Sequence, residues 1–357
     1  MRIVVKIGSS SLTNNKHFID EVKLTDHVDA IAALAQAGHE VIIVSSGAVA
    51  AGFKKLGYPA RPITIKGKQA AAAVGQSLLI QQYSTLFAKH DLAVAQLLLT
   101  RLDFTHKKRY QNAYQALNEL LERSVVPIIN ENDTVSVTEL TFGDNDMLSA
   151  LVAGLLHADT LVILTDINGL YTANPAKNPD AIQLNNVEEI TQEMIENAKG
   201  TGSSVGTGGM ETKLYAASYA MDNGINVFIG TGHGPTKLLD IVQGNGDGTY
   251  FLKKEISIPN TKRWISLTES AGKIVIDQGA YDALINRGKS LLLAGVTNFE
   301  GQFEAGEVVE VYFDNRCIGR GEVTYSSIAL HDKIGKNKTE LGIYMPVLIH
   351  RDSWVKI

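Results

Sequence analysis

Cysteine is nearly missing from this chain: Cys317 is the single one among 357 residues. That excludes an intrachain disulfide framework and fits a reducing compartment. The thiol itself reads better as a small apolar filler than as a reactive group. No apolar run approaches the length of a membrane span. The first residues, RIVVKIG, enter a strand-like run without a charged-then-apolar leader or a cleavage site, so a cytoplasmic protein is expected. A basic excess is lacking too. The net charge of -5 offers no global attraction to nucleic acid or to an anionic membrane. There is no GxxxxGK[ST], no GxSxG and no HExxH, and the nine histidines are scattered. These gaps argue against a P-loop nucleotide site, a hydrolase triad and a histidine metal centre. Internal repeats and low-complexity tracts do not stand out.

What is present is the composition of a soluble globular protein, 45% hydrophobic and 20% charged, and the length suggests two domains. Apolar, β-branched runs recur at Arg2–Ile7, Glu40–Ser45, Ala93–Leu99, Val125–Ile129, Thr160–Leu164 and Asn226–Ile229. Helical patterns lie between most of them, at Leu24–Ala37 (with Gly38 as its C-cap), Lys66–Lys89, Tyr110–Arg123, Asp146–His157 and Met210–Asn223. Near-continuous apolar strands separated by helices mean an α/β fold, a mostly parallel sheet covered on both faces. Right-handed crossovers bring the strand ends to one edge, so the loops that follow them should build one site.

After about Phe251 the texture changes. Short strand-like runs at Lys273–Ile276, Ser290–Ala294, Val308–Phe313 and Ile318–Val323 follow one another with glycine-bearing turns, and only Gly279–Arg287 looks helical. The expected division is a first domain over 1–255 and a small, mainly β module over 256–357, joined through Lys253–Arg263. From Ile256 to Ile357, 12 Lys/Arg face 12 Asp/Glu. That balance argues against RNA binding by the β module, while a small local patch stays open.

Five stretches carry chemistry. Val4-Val5-Lys6-Ile7-Gly8-Ser9-Ser10-Ser11 puts a lysine inside an apolar strand, ahead of a turn whose N–H and hydroxyl groups suit phosphate oxygens. The alternative is an edge lysine whose head reaches water. Val44-Ser45-Ser46-Gly47-Ala48 ends another strand and could hold a carboxylate at a helix start, or Ser46 could simply cap that helix. The Asn/Asp knots Asn130–Asp133 and Asp144–Asp146 flank a short alternating segment. They offer carboxylates and amides to a small polar substrate carrying an ammonium group, although Asn and Asp are also ordinary turn residues. Leu164–Thr172 could touch a nucleotide, yet Asn168-Gly169 is a turn signal in its own right. The glycine-rich run Gly200–Gly209 leads into Met210-Glu211-Thr212-Lys213. It would suit a loop over polyphosphate, and a phosphate would compensate a lysine placed at the positive end of a helix dipole. An ordinary surface loop is the competing reading.

VVKIGSS, VSSGAVAAG, PIINEND, FGDNDMLSA, LTDINGLYT and GTGGMETK occur here in one order. In that order they resemble the glutamate-phosphorylating branch of the amino acid kinase family. GAYDALINRGKSLLLAGVTNFEGQFEAGEVVEV is similar to a PUA domain. The resemblance implies a three-layer αβα sandwich followed by the PUA domain. It also implies ATP-dependent phosphorylation of the L-glutamate side-chain carboxylate to γ-glutamyl phosphate, the first step of proline biosynthesis. Carried over, Lys6 and Lys213 would hold the transferring phosphoryl group and Asp146 would orient both. Ser46, Asn130, Asp133 and Asn145 would bind glutamate. Lys6, Thr165, Asp166, Thr207, Gly208, Gly209, Met210, Glu211, Thr212 and Lys213 would line the ATP site. Mg²⁺ would ride mainly on the nucleotide phosphates, with no protein metal ligand assigned. Proline as an inhibitor, acting through Gly143 and the Thr134–Phe142 stretch, a homo-oligomer (dimer or tetramer), and a functional link to glutamate-5-semialdehyde dehydrogenase complete what the resemblance implies.

Overall fold

A computed structural model describes the chain except residues 15, 136–144, 174, 176, 177, 179, 199–208, 254–261, 269, 332–346 and 357. The described residues cluster into two units, one of Met1–Asp103 with Gln111–Ser257, the other of Phe104–Tyr110 with Ile258–Ile357.

The first unit is built on an eight-stranded sheet. Its strands are β1 (Arg2–Ile7), β2 (Glu40–Ser45), β3 (Val94–Leu99), β4 (Val126–Glu131), β5 (Thr160–Leu164), β6 (Asn186–Val187), β7 (Asn226–Gly230) and β8 (Gly248–Phe251), in the order β3-β4-β2-β1-β5-β7-β8-β6. Every pairing is parallel except β7 with β8. The mostly parallel sheet expected from the strand–helix alternation is therefore what the chain forms.

The reason lies in the strands' two faces. In β1, Ile3, Val5 and Ile7 join one core cluster with Leu24, Val28 and Ile31 of helix Glu21–Gln36 and with Leu79, Tyr83 and Phe87 of helix Ile65–Phe87. Val4 and Lys6 point the other way by the period-2 rule, and helix Asn145–Leu156 packs on β1, β2, β4 and β5. Each fully buried aliphatic side chain contributes about 1.5–3 kcal/mol. Burial on both faces thus outweighs the lack of any alternating polar pattern.

Helix boundaries follow caps that apolar periodicity does not reveal. Helix Glu21–Gln36 starts three residues before Leu24, because the Asp20 carboxylate accepts from the N–H groups of Val22 and Lys23 at 3.0 and 3.3 Å. It ends against Gly38, whose φ of +85° is the left-handed conformation that closes a helix. The short strands β6 and β8 went unforeseen. Gly248–Phe251 holds only four residues and opens on a glycine, too little for a periodic signal.

The register brings the C-terminal ends together: Ile7 lies beside both Ser45 and Leu164, and Leu164 beside Gly230. Ser46 and Thr165 follow directly from that edge.

The second unit carries a six-stranded sheet of β9 (Gly272–Ile276), β10 (Leu291–Leu292), β11 (Val296–Gly301), β12 (Val308–Phe313), β13 (Arg316–Val323) and β14 (Val347–Lys356), ordered β10-β14-β13-β12-β9-β11. Among the described residues of this unit, only β9 and β12 pair in parallel. Its own core gathers Ile274, Val309, Val311, Leu348 and Trp354. Cys317 donates weakly to the Gly319 carbonyl at 3.6 Å. The Phe104–Tyr110 segment is tied in by Lys107, whose ammonium meets both Glu322 oxygens at 2.8 and 2.9 Å. Among the described residues no helix is long and apolar enough to cross a membrane.

Candidate active site

At the end of β1, Lys6 is buried and its Nζ lies 2.5 Å from Asp146 Oδ1. Lys213 Nζ donates to Asp146 Oδ2 at 3.1 Å, and Thr212 Oγ1 donates to the same oxygen at 3.0 Å. Asp146 is 0% exposed and sits in the first turn of helix Asn145–Leu156, while Lys213 lies in the first turn of helix Met210–Asp222. A buried ion costs several kcal/mol unless paired, and here one carboxylate answers two ammonium groups. Two buried ammonium groups from separate elements therefore converge on this one carboxylate. Lys6 does not reach along the surface to water, so the edge-lysine alternative does not describe it.

Asn145, the residue before Asp146, belongs to a second cluster. Its Nδ2 donates to the Ser45 carbonyl at 2.8 Å, to Ser46 Oγ at 3.0 Å and to Asn130 Oδ1 at 2.9 Å. Asn130 Nδ2 donates in turn to Gln76 Oε1 at 2.9 Å. Ser46 is not a helix cap: the N-cap of the following short helix is Gly47, at φ +101°, with no side-chain capping bond. The described residues thus place Ser46, Asn130 and Asn145 together, and the peptide bond between Asn145 and Asp146 joins this amide knot to the lysine centre. Asp133 stands beyond β4, and among the described residues no hydrogen bond ties it to the knot. Burial pushes its carboxyl above the ordinary value, with the Arg61 charge pulling the other way.

A cleft of about 240 Å³ opens past the ends of β5 and β7, lined by Ser10, Ser11, Thr165, Asp166, Thr231 and His233 among others. Thr165 Oγ1 donates to Asp166 Oδ1 at 3.1 Å, and Thr165 N–H donates to the Gly230 carbonyl. The cleft's rear wall is a brace. Lys23 donates to the Ser10 and Thr13 carbonyls at 3.2 and 2.8 Å, and His27 Nε2 faces the Ser11 carbonyl at 3.1 Å. Asp26 accepts from the Gly234 N–H at 2.8 Å and pairs with the buried Lys237. Burial alone would raise the Asp26 carboxyl, but Lys237 and the Gly234 N–H hold it below its ordinary value. Burial lowers Lys237 further than Asp26 can restore it. Burial, together with the Lys237 charge, lowers His27 to about 4, so it is neutral at physiological pH.

Of the nucleotide candidates, Gly209, Met210, Glu211, Thr212 and Lys213 form the start of helix Met210–Asp222, and Thr207 and Gly208 lie outside the described residues. So do Gly143 and most of the Thr134–Phe142 stretch. Asn168-Gly169 is the tight turn its sequence suggested, with Gly169 at φ +115° and the Tyr171 hydroxyl donating to Asn168 Oδ1 at 2.7 Å. Sequence reading missed Gln76, Tyr83, Lys23, Asp26, His27 and Lys237. Each sits inside a helix, where a single polar residue carries no local signal.

A mostly parallel, open α/β sheet with polar side chains gathered at the carboxyl ends of its strands defines a class of folds that bind ligands along that edge. The comparisons sharpen that class. The amino acid kinase family matches residues 1–231, and the PUA domain matches residues 272–341. The chain is 58% identical to Glutamate 5-kinase 1 of Bacillus licheniformis and 56% identical to Glutamate 5-kinase 1 of Bacillus subtilis, each alignment covering 100% of this chain and 98% of the relative. The carbamate kinase from Giardia lamblia bound to AMP-PNP superimposes with a TM-score of 0.50 at 20% identity, over 71% of this chain and 98% of that one, a likeness of fold. The chain belongs to the amino acid kinase family and carries a C-terminal PUA domain.

Proposed function

We propose that this chain transfers the γ-phosphoryl group of ATP to the side-chain carboxylate of L-glutamate, giving γ-glutamyl phosphate and opening proline biosynthesis. The full-length likeness to relatives named glutamate 5-kinases carries the reading. A carboxylate with an ordinary pKa of about 4.3 is already ionised at neutral pH, so the nucleophile needs no general base. Its oxygen forms the new bond to the γ-phosphorus, the bond to the β–γ bridging oxygen breaks, and the electron pair leaves with ADP. No proton moves. The work left to the protein is positioning and charge neutralisation.

Lys6 and Lys213 hold the phosphoryl oxygens, and Asp146 keeps the two ammonium groups from drifting apart. The convergence of two buried ammonium groups on one carboxylate supports this role. Ser46, Asn130, Asn145 and Asp133 bind the amino acid, with Asp133 facing the ammonium. Thr165, Asp166 and Thr207–Lys213 line the nucleotide site. Both Asp146 oxygens already face ammonium groups, so the donor set around them does not suit a cation. Mg²⁺ therefore belongs with the ATP phosphates, where it would offset their charge. Proline acting at the glutamate site, a homo-oligomer, and delivery of the acyl phosphate to glutamate-5-semialdehyde dehydrogenase belong to the same reading. ADP release measured with L-glutamate, L-aspartate, N-acetylglutamate and UMP tests it. Turnover with glutamate far above the others is expected, and turnover with another acceptor but not glutamate would overturn it.

A further inference from the structure

The amide knot has a direction, and two backbone groups set it. The Ser45 carbonyl can only accept, so the Asn145 amide must present its nitrogen there, at 2.8 Å. The Glu131 N–H can only donate, so Asn130 must present Oδ1 to it, at 2.9 Å. Asn130 is left with its NH₂ group, which points at Gln76. Gln76 must then answer with Oε1, and its own NH₂ is left over as a donor. That NH₂ has no partner among the described residues, although Gln76 is 8% exposed. At the other end of the chain of amides, the leftover atom is Asn145 Oδ1, an acceptor.

Gln76 is held firmly. Its neighbour Gly75 presses on helix Ala48–Gly52, where a Cβ at Gly75 would run into the Ala48 carbonyl oxygen. Two turns along the same helix, the Tyr83 hydroxyl meets Ser45 Oγ at 2.9 Å. Helix Ile65–Phe87 is thereby fixed against the end of β2, and Gln76 has little freedom to turn its donor elsewhere.

We propose that Gln76 is a substrate-binding residue whose side-chain NH₂ donates to a carboxylate of the amino acid acceptor. This rests on the acceptor reading given above. The knot then separates a donor end, at Gln76, from an acceptor end, at Asn145 Oδ1. That polarity suits a zwitterionic amino acid.

Gln76→Glu separates binding from mere support of Asn130. The substitution keeps the size and keeps an oxygen for Asn130 Nδ2, but replaces the donor with a second oxygen that repels a carboxylate. Equilibrium titration of L-glutamate onto the full-length protein should show a dissociation constant raised about 10- to 100-fold, the scale of a lost hydrogen bond to a charged group. The glutamate KM should rise in parallel, while kcat and the ATP KM stay within about threefold. Unchanged glutamate affinity in Gln76→Glu would assign Gln76 to supporting Asn130 alone and overturn the proposal. If that variant does not fold, Gln76→Met and Asn130→Leu are compared with their double mutant: additive losses of glutamate affinity keep the direct contact at Gln76, and a double mutant no weaker than Asn130→Leu alone assigns Gln76 to supporting Asn130 and overturns the proposal. A wild-type protein that binds no glutamate removes the acceptor reading and this inference with it. Glutamate binding by the wild type with unchanged variants removes the inference only.

Discussion

Two aspartate–lysine centres lie in the first unit, one with its carboxylate buried at Asp146 and one with it partly exposed at Asp26. At Asp146 a single carboxylate faces two ammonium groups, Lys6 and Lys213. At Asp26 a carboxylate faces one, Lys237, and takes a backbone N–H as its further partner. The first centre gathers side chains from β1 and from the starts of two helices. The second is balanced, and His27 beside it is kept neutral by burial. Its bonds run to the protein's own backbone, holding the turn after β1 and the loop after β7. The same residue types thus join side chains of distant elements at one centre and hold backbone turns in place at the other.

The largest effect should come from removing the charge that organises the first centre. Asp146→Asn is expected to lower kcat by about 10²- to 10³-fold with a small change in glutamate KM, as for loss of a group acting on the transition state. Steady-state kinetics check it, and a rise in KM with kcat intact would place Asp146 in ground-state binding instead.

At the brace the expected readout is stability. His27 takes up a proton near 6.5 when unfolded but only near 4 when folded, because burial and Lys237 oppose the charge. The unfolded chain therefore binds more protons between those values, and stability falls as pH drops through that window. The loss is nil well above pH 6.5 and complete below pH 4, amounting to about 3 kcal/mol at about 1.4 kcal/mol per pH unit. Denaturant melts of wild type and His27→Gln across this range should differ in slope. Parallel curves would mean that His27 takes up its proton as readily in the fold as in the unfolded chain.

A smaller effect is expected from Lys237→Met, about 2 kcal/mol of stability, since Asp26 is partly exposed and can turn to water. Its kcat should stay within a few-fold of wild type. A Lys237→Met protein that melts normally but does not turn over would erase the distinction between the two centres.

Much of this was legible before the fold was known, for stated reasons. β1, β2 and β5 are apolar along their length because both faces are covered, and such runs need no alternation to be read. Lys6 stood out because it interrupts one of them. The Asn and Asp knots stood out by density. By contrast, Gln76 lies in an alanine-rich helix, 54 positions from Asn130, and nothing local announces their bond. Asp26 and Lys237 are 211 positions apart, each an unremarked charge on its own helix. In the second unit, the strand Val347–Lys356 alternates weakly and went unseen, as did the grouping of Phe104–Tyr110 with that unit.

The sequence by itself determined the alternation of strand and helix, the change of texture after Phe251, and the residue types available at each strand end. Those are short-range properties, written in periodicity, caps and turn chemistry. Tertiary structure decided which charges share a carboxylate. Helix Asn145–Leu156 crosses over β1 and helix Met210–Asp222 packs beside it, so that Lys6 and Lys213 both reach Asp146. Pairing of that kind depends on the parallel register of distant strands. It is settled by the burial of their shared faces, which no local stretch of residues encodes.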